Sequence, residues 1–158
     1  MSKYSNICFY GGGAWGQALS ITLASLGHKS KLIVSDQTRA NEINSGISRR
    51  FSQIKLSPLI TSSVNAKEVI KESNLVFITT ESKRVMSVIE QINLLNNNEI
   101  NIVITSKGFA NKHGETFNEI IQNQFPTLTT GILTGPTFAD EIANNFPAAA
   151  ILASNHIN

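Results

Sequence analysis

Residues 6–27 read NICFYGGGAWGQALSITLASLG: the apolar run Asn6-Ile7-Cys8-Phe9-Tyr10 stops at three glycines, and a longer segment follows. In that segment the apolar positions Ala18, Leu19, Leu23 and Leu26 recur at helical spacing. The run predicts a strand, residues Trp15 to Leu26 a helix, and Gly27 the residue that ends it. Gly11, Gly13 and Gly16 stand in the G-x-G-x-x-G spacing, here in the strand–turn–helix context that gives the spacing a mechanism. Gly11 permits the sharp turn, Gly13 lets the backbone approach a diphosphate, and Gly16 lets helix and strand pack closely. The start of the helix then directs N–H groups and the positive dipole end at an anion. A bare turn with no ligand would not require three glycines at this spacing.

Outward from this stretch the same alternation continues. Strands are expected at Lys31 to Ser35, Leu75 to Thr79, Ile102 to Ile104, Ile132 to Thr134 and Ala149 to Ala153, with a short one at Leu59 to Thr61. Helices are expected around Thr38 to Ser45, Asn65 to Lys71, Glu115 to Gln124 and Phe138 to Ala143. Another starts at a Ser82 cap and runs to Leu95, with Val85, Val88, Ile89 and Ile92 inward. The Asn96-Asn97-Asn98 run reads as a surface turn. Continuous apolar strands alternating with helices specify an α/β fold, a doubly wound, mostly parallel sheet with helices on both faces. Ligands of such sheets sit at the carboxyl ends of the strands.

Composition removes several function classes. Charged residues are 15% of the chain and the net charge is +2, with adjacent basic residues only at Arg49-Arg50 and Lys83-Arg84, so no basic stripe for nucleic acid is present. Cys8 is the sole cysteine and sits in an apolar run, which predicts a small buried side chain and excludes a disulfide framework or cysteine zinc cluster. His28, His113 and His156 lack metal-ligand spacing and read as surface residues; no metal is expected. No signal sequence or membrane-length apolar segment is found, which points to the cytoplasm.

The strand ends carry the unusual residues. Asp36 follows the second strand, placed to accept hydrogen bonds from an adenosine ribose or to cap the next helix. Ser35 beside it and Arg39 one turn on are placed instead to hold a 2′-phosphate, so NAD and NADP both remain open as cofactors. Lys107, in Thr105-Ser106-Lys107-Gly108, lies where a nicotinamide would rest. Gly135, Pro136 and Thr137 offer donors to an anion, with Thr137 equally a cap for the helix leading into Asp140-Glu141. The loop Thr79-Thr80-Glu81-Ser82 borders the cofactor by position.

Three segments together, GGGAWGQAL at 11–19, Ser106-Lys107-Gly108, and LTGPTFADEIA at 133–143, resemble the bacterial NAD(P)-dependent glycerol-3-phosphate dehydrogenases in order and spacing across the chain. The resemblance implies a Rossmann domain over residues 1–158 that binds NAD or NADP through Ala14, Trp15, Ser35 and Ala139. Lys107 would touch cofactor and substrate, and Gly135 and Thr137 would help hold glycerol 3-phosphate. The implied reaction reversibly reduces dihydroxyacetone phosphate for phospholipid synthesis. In the family a helical second domain carries the general acid/base lysine, and neither is expected in this chain; for the full-length enzyme the resemblance admits a homodimer. The family usually has Val-Pro-Ser where this chain has Thr80-Glu81-Ser82, and commonly a lysine at the position of Asp140. A stand-alone dinucleotide-binding module without catalysis is the competing expectation. A reductase of another phosphorylated or hydroxy-acid substrate, and a methyltransferase, fit the second and third segments less well. An exposed apolar surface is expected where a second domain would dock.

Overall fold

The computed structural model describes residues 5–95, 100–111 and 113–154; the Asn96-Asn97-Asn98 run and His156 lie outside them. Strands β1 (Ile7–Tyr10), β2 (Ser30–Ile33), β3 (Ile60–Ser63), β4 (Leu75–Ile78), β5 (Asn101–Ile104) and β6 (Thr129–Thr134) are parallel, and β7 (Ile151–Ser154) closes the sheet antiparallel to β6. Their order is β3-β2-β1-β4-β5-β6-β7. The direction of winding reverses between β1 and β4, which opens a crevice at their carboxyl ends.

Successive side chains of a strand point to opposite faces, and the two cores follow that alternation. Cys8 and Tyr10 pack with Val76, Ile78, Ile102 and Ile104 under α3 (Ala66–Glu72), α4 (Val85–Leu95) and α5 (Phe117–Gln124). Ile7 and Phe9 pack with Leu32 and Val34 on the other face, under α1 (Ala14–Ser25) and α2 (Gln37–Asn44). There Phe9 stacks on Phe77 with ring centroids 4.9 Å apart. The short α6 (Ala139–Ala143) lies against α1, where Ala143 joins Ala18 and Phe51 in a third cluster. Val85, Val88, Ile89 and Ile92 are buried as their spacing predicts.

Several local expectations are corrected. Helix α1 buries Gly16, Gln17, Ala18 and Ser20 and packs Leu19 and Leu23, partly buried, against the core, but Leu26, the fourth position of the expected face, is 68% exposed. The fully buried positions carry small or internally bonded side chains. Ser20 shares a hydrogen bond with Ser30 (2.7 Å), and the Gln17 amide donates to the Gly12 carbonyl (2.8 Å) while accepting from Ser48 (2.5 Å). Gly27 follows the C-cap at φ +83°, and the His28 and Gly27 amides close the helix end on the Leu23 and Ala24 carbonyls. Ser82 is not a cap but opens a 3-10 turn, Ser82–Arg84, ahead of α4. Thr137 does not cap α6 either; Phe138 takes that position without a side-chain bond. α5 instead has a full capping box between Thr116 and Glu119. The last strand starts at Ile151 rather than Ala149, because the Ala149 carbonyl lies against Gly135, where a Cβ would come within 2.4 Å of it.

Cys8 is fully buried, as expected, and burial pushes its thiol up from the ordinary 9.0 to about 11, against a hydrogen bond with Ser73 and the nearby Lys31 charge. An acid whose folded value is raised stabilises the fold below its unfolded value and loses that contribution as pH climbs. Stability should therefore decline between pH 9 and about 11, and Cys8→Ala should flatten that part of the curve. At neutral pH the native protein should not react with a thiol reagent until denaturant is added; rapid labelling of the native state would contradict this. His28 and His113 are exposed, and the described residues contain no grouping of His, Cys, Asp and Glu suited to a metal. No helix among them is long and apolar enough to cross a membrane.

Candidate cofactor and substrate site

The crevice begins at the glycine turn. Gly11 adopts φ +126°, a backbone region that disfavours side chains, and a Cβ there would sit 3.0 Å from the Thr79 carbonyl oxygen and hydroxyl. At Gly16 a Cβ would fall 2.1 Å from the Gly11 carbonyl oxygen, so helix and turn touch directly. A Cβ on Gly13 would meet nothing within 4 Å: that side of the turn faces open space. Gly12, which the motif spacing leaves free, is also required, since a Cβ would stand 2.3 Å from Val34 Cγ1. The first turn of α1 holds no acidic residue and no side chain caps it, leaving the N-terminus open to an external anion.

Neighbouring loops are stitched together across the strand ends. The Thr79 hydroxyl donates to the Gly11 carbonyl (2.7 Å), Thr105 to the Ile78 carbonyl (2.9 Å), and Ser106 to the Thr80 carbonyl (2.6 Å). On the outer side Ser48 accepts from the Phe51 amide (2.9 Å) and bonds Gln17, tying the segment after α2 to the glycine turn. Arg50, over the Phe51 ring, reaches Asp140 on α6 at 2.6 Å. None of these supports announces itself in sequence. The only available signal is a hydroxyl residue directly after an apolar run, which marks Thr79 and Thr105 but not Ser48.

Two cavities sharing Thr79 and Thr80 make up the crevice. One, of about 630 Å³, runs along Gly11, Gly12, Gly13 and Ser35 to Arg39. The other, of about 400 Å³, brings together Ala14, Trp15, Lys107, Gly135, Thr137 and Ala139 from three loops. Nine of the eleven predicted site residues thus converge on continuous walls, three on the first cavity and six on the second. Gly16 lies beneath the turn. Asp36 is absent from both walls; its carboxylate accepts from the Arg39 amide (2.9 Å) as the N-cap of α2.

The residues present fit a dinucleotide. Gly13 leaves room for a diphosphate over the helix start, and the Trp15 indole N–H is buried with no hydrogen-bond partner on the wall of the second cavity. The Lys107 side chain is exposed at the rim of the same cavity, without an ion pair among the described residues. Glu81, the departure noted in sequence, is exposed and bonded to Lys83 at 2.7 Å, and that lysine holds its carboxyl below the usual range. Its charge is therefore met locally.

Known proteins agree with this architecture. Residues 6–158 match the family described as NAD-dependent glycerol-3-phosphate dehydrogenase N-terminus. Among curated relatives, a glycerol-3-phosphate dehydrogenase (NAD(P)+) of an Exiguobacterium species is 33% identical over 155 residues, covering 94% of this chain and 45% of the relative. That of Rickettsia felis is 32% identical and covers 100% of this chain and 50% of the relative. The crystal structure of glycerol-3-phosphate dehydrogenase from Coxiella burnetii superposes with a TM-score of 0.84 at 26% identity, covering 95% of this chain and 46% of that one. The chain spans about half the length of the curated relatives it matches.

Proposed function

The chain belongs to the family of NAD-dependent glycerol-3-phosphate dehydrogenase N-terminal domains, and from that membership we propose that it is the cofactor-binding half of an NAD(P)-dependent glycerol-3-phosphate dehydrogenase. The observation that carries the reading is the open side of Gly13 at an uncapped helix start, continuous with a second cavity that gathers Lys107, Gly135 and Thr137. The diphosphate is held by the glycine turn and the start of α1, the adenosine end extends past Ser35, and the nicotinamide end lies toward Trp15, Lys107 and Ala139.

When bound, NAD(P)H supplies a hydride to the carbonyl carbon of dihydroxyacetone phosphate. Lys107, a cation at the cavity rim, orients the substrate and stabilises negative charge developing on the carbonyl oxygen. Gly135 and Thr137 hold the phosphorylated end. The proton that completes the alcohol comes, on this proposal, from a lysine in the part of the relatives that this chain does not match, so the chain alone binds cofactor and turns over negligibly. A cytoplasmic location, a role in phospholipid synthesis and a homodimeric whole enzyme belong to the same proposal.

Titration of the chain with NADH and with NADPH in a calorimeter tests it. Saturable binding of at least one is expected, with no steady turnover of dihydroxyacetone phosphate. Heat from neither cofactor would overturn the reading, and steady turnover would refute the division of labour between halves.

A further inference from the structure

Beneath the glycine turn runs a chain of hydrogen bonds whose direction is fixed by the chemistry of its two ends. The Phe51 amide donates to the Ser48 hydroxyl oxygen (2.9 Å), Ser48 gives its own proton to Gln17 Oε1 (2.5 Å), and Gln17 Nε2 donates to the Gly12 carbonyl (2.8 Å). A backbone N–H can only give and a carbonyl can only accept, which leaves one arrangement for the hydroxyl and the carboxamide between them. Gln17 and Ser48 are buried, at 4% and 3% exposure, so little water reaches either side chain to compete.

The last link sets a peptide plane. No peptide bond among the described residues is cis, and in a trans peptide the N–H points opposite to the carbonyl of the same unit. With the Gly12 carbonyl held on the buried Gln17, the Gly13 N–H is turned the other way, onto the exposed side of the turn. That amide meets no acceptor among the described residues, and the space above Gly13 is open. Glycine by itself does not enforce this orientation. Gly13 has φ −72°, and turning the peptide over would carry it to roughly +110°, a region closed to most residues but open to glycine. The overturned peptide would present the Gly12 oxygen to the crevice in place of an N–H.

We propose that Gln17 and Ser48 are positioning residues for the diphosphate: together they lock the Gly12–Gly13 peptide in the orientation that offers an anion a donor rather than a carbonyl oxygen. Gln17 acts through the Gly12 carbonyl, and Ser48, 31 positions away, acts through Gln17 by fixing which end of its carboxamide faces the turn. Neither side chain touches the ligand. The inference rests on the dinucleotide reading of the crevice and adds to it which side chains keep the turn in its receiving state.

Calorimetric titration of the chain with NADH and NADPH, alongside thermal unfolding, tests the lock. Gln17→Glu keeps the shape of the side chain and the acceptor offered to Ser48 but sets an oxygen against the Gly12 carbonyl. It should weaken whichever cofactor binds by at least about tenfold, the scale of one charge-assisted hydrogen bond. Gln17→Met, which removes the donor without burying a charge, should do the same, and Ser48→Ala should weaken binding about threefold. Ser20→Ala is the control for a purely structural loss, since it deletes a buried hydrogen bond of the same helix. It should lower the melting temperature while moving affinity by less than about twofold. In the unaltered, isotope-labelled chain the Gly13 amide proton should shift downfield in the NMR spectrum at cofactor saturation, a readout that holds even where the Gln17 variants do not fold. Affinities of folded Gln17 variants within about twofold of the parent, an equal loss in Ser20→Ala, or a Gly13 amide unmoved at saturation would overturn the lock and leave the cofactor reading standing. Binding of neither cofactor to the unaltered chain would overturn both.

Discussion

Replacing Gly13 with valine is expected to weaken cofactor binding by about a hundredfold or more while leaving the domain folded. The position tolerates a side chain sterically: an added Cβ would have no neighbour within 4 Å, and its φ of −72° is open to any residue. What the added methyls fill is the space over the start of α1, where a diphosphate must come close to accept from backbone N–H groups. Excluding it forfeits charge-assisted hydrogen bonds worth roughly 1.5–3 kcal/mol each, and losing two of them accounts for at least two orders of magnitude in affinity. The change in stability should stay near the ~1 kcal/mol scale of a helix-cap substitution. Calorimetry and thermal unfolding on the same sample check both halves. Unchanged affinity would show that the ligand does not sit on this turn.

Gly16→Ala, three residues along the same turn, should do the opposite and damage the fold itself. Its Cβ would stand 2.1 Å from the Gly11 carbonyl oxygen and 2.9 Å from the Thr79 hydroxyl, and that hydroxyl is the one that holds Gly11 at 2.7 Å. A backbone atom cannot swing away as a flexible side chain would, so α1 must lift from the sheet, loosening Phe9 and Leu32 beneath it. A loss of about 3 kcal/mol, the upper part of the usual overpacking range, is expected. For a chain of this size that corresponds to roughly 6–12 °C in melting temperature. Cofactor affinity should fall as well, because the displaced turn carries the seat. A variant as stable as the parent would refute direct helix-to-turn contact. The two expected results together would separate a ligand role for Gly13 from a packing role for Gly16.

Much of this was legible in sequence. The strands leading to Tyr10, Ile78 and Ile104 are continuous apolar runs buried from both sides, and nothing but a covered parallel sheet suits them. The glycine spacing placed the sharp turn before the uncapped start of α1, and Lys107, Gly135 and Thr137 stood at strand ends where the crevice gathers them. What could not be read depends on distance between segments remote in sequence. Leu26 fits the helical period yet faces solvent, because α1 runs past the edge of the core by its last turn. Gln17 is a polar residue that its helix spacing does not mark, and contacts to Gly12 and to Ser48, 31 positions away, make it part of the buried support. Ser82 and Thr137 have cap chemistry without cap geometry, whereas Thr116 has both. Phe138, Phe146, Ile151 and Leu152 are each more than half exposed.

The hydroxyl stitching between loops bears on how a guest is received. A hydroxyl has one proton to give and two lone pairs, and Thr79, Thr105 and Ser106 have each spent the proton on a carbonyl of the protein. Toward the crevice these three therefore offer electron density, welcoming an amide NH₂ or a sugar OH and repelling bare anions. Positive donors cluster instead at the helix start and at Lys107. The floor is in this sense polarised before anything arrives, and little ordering has to accompany occupancy.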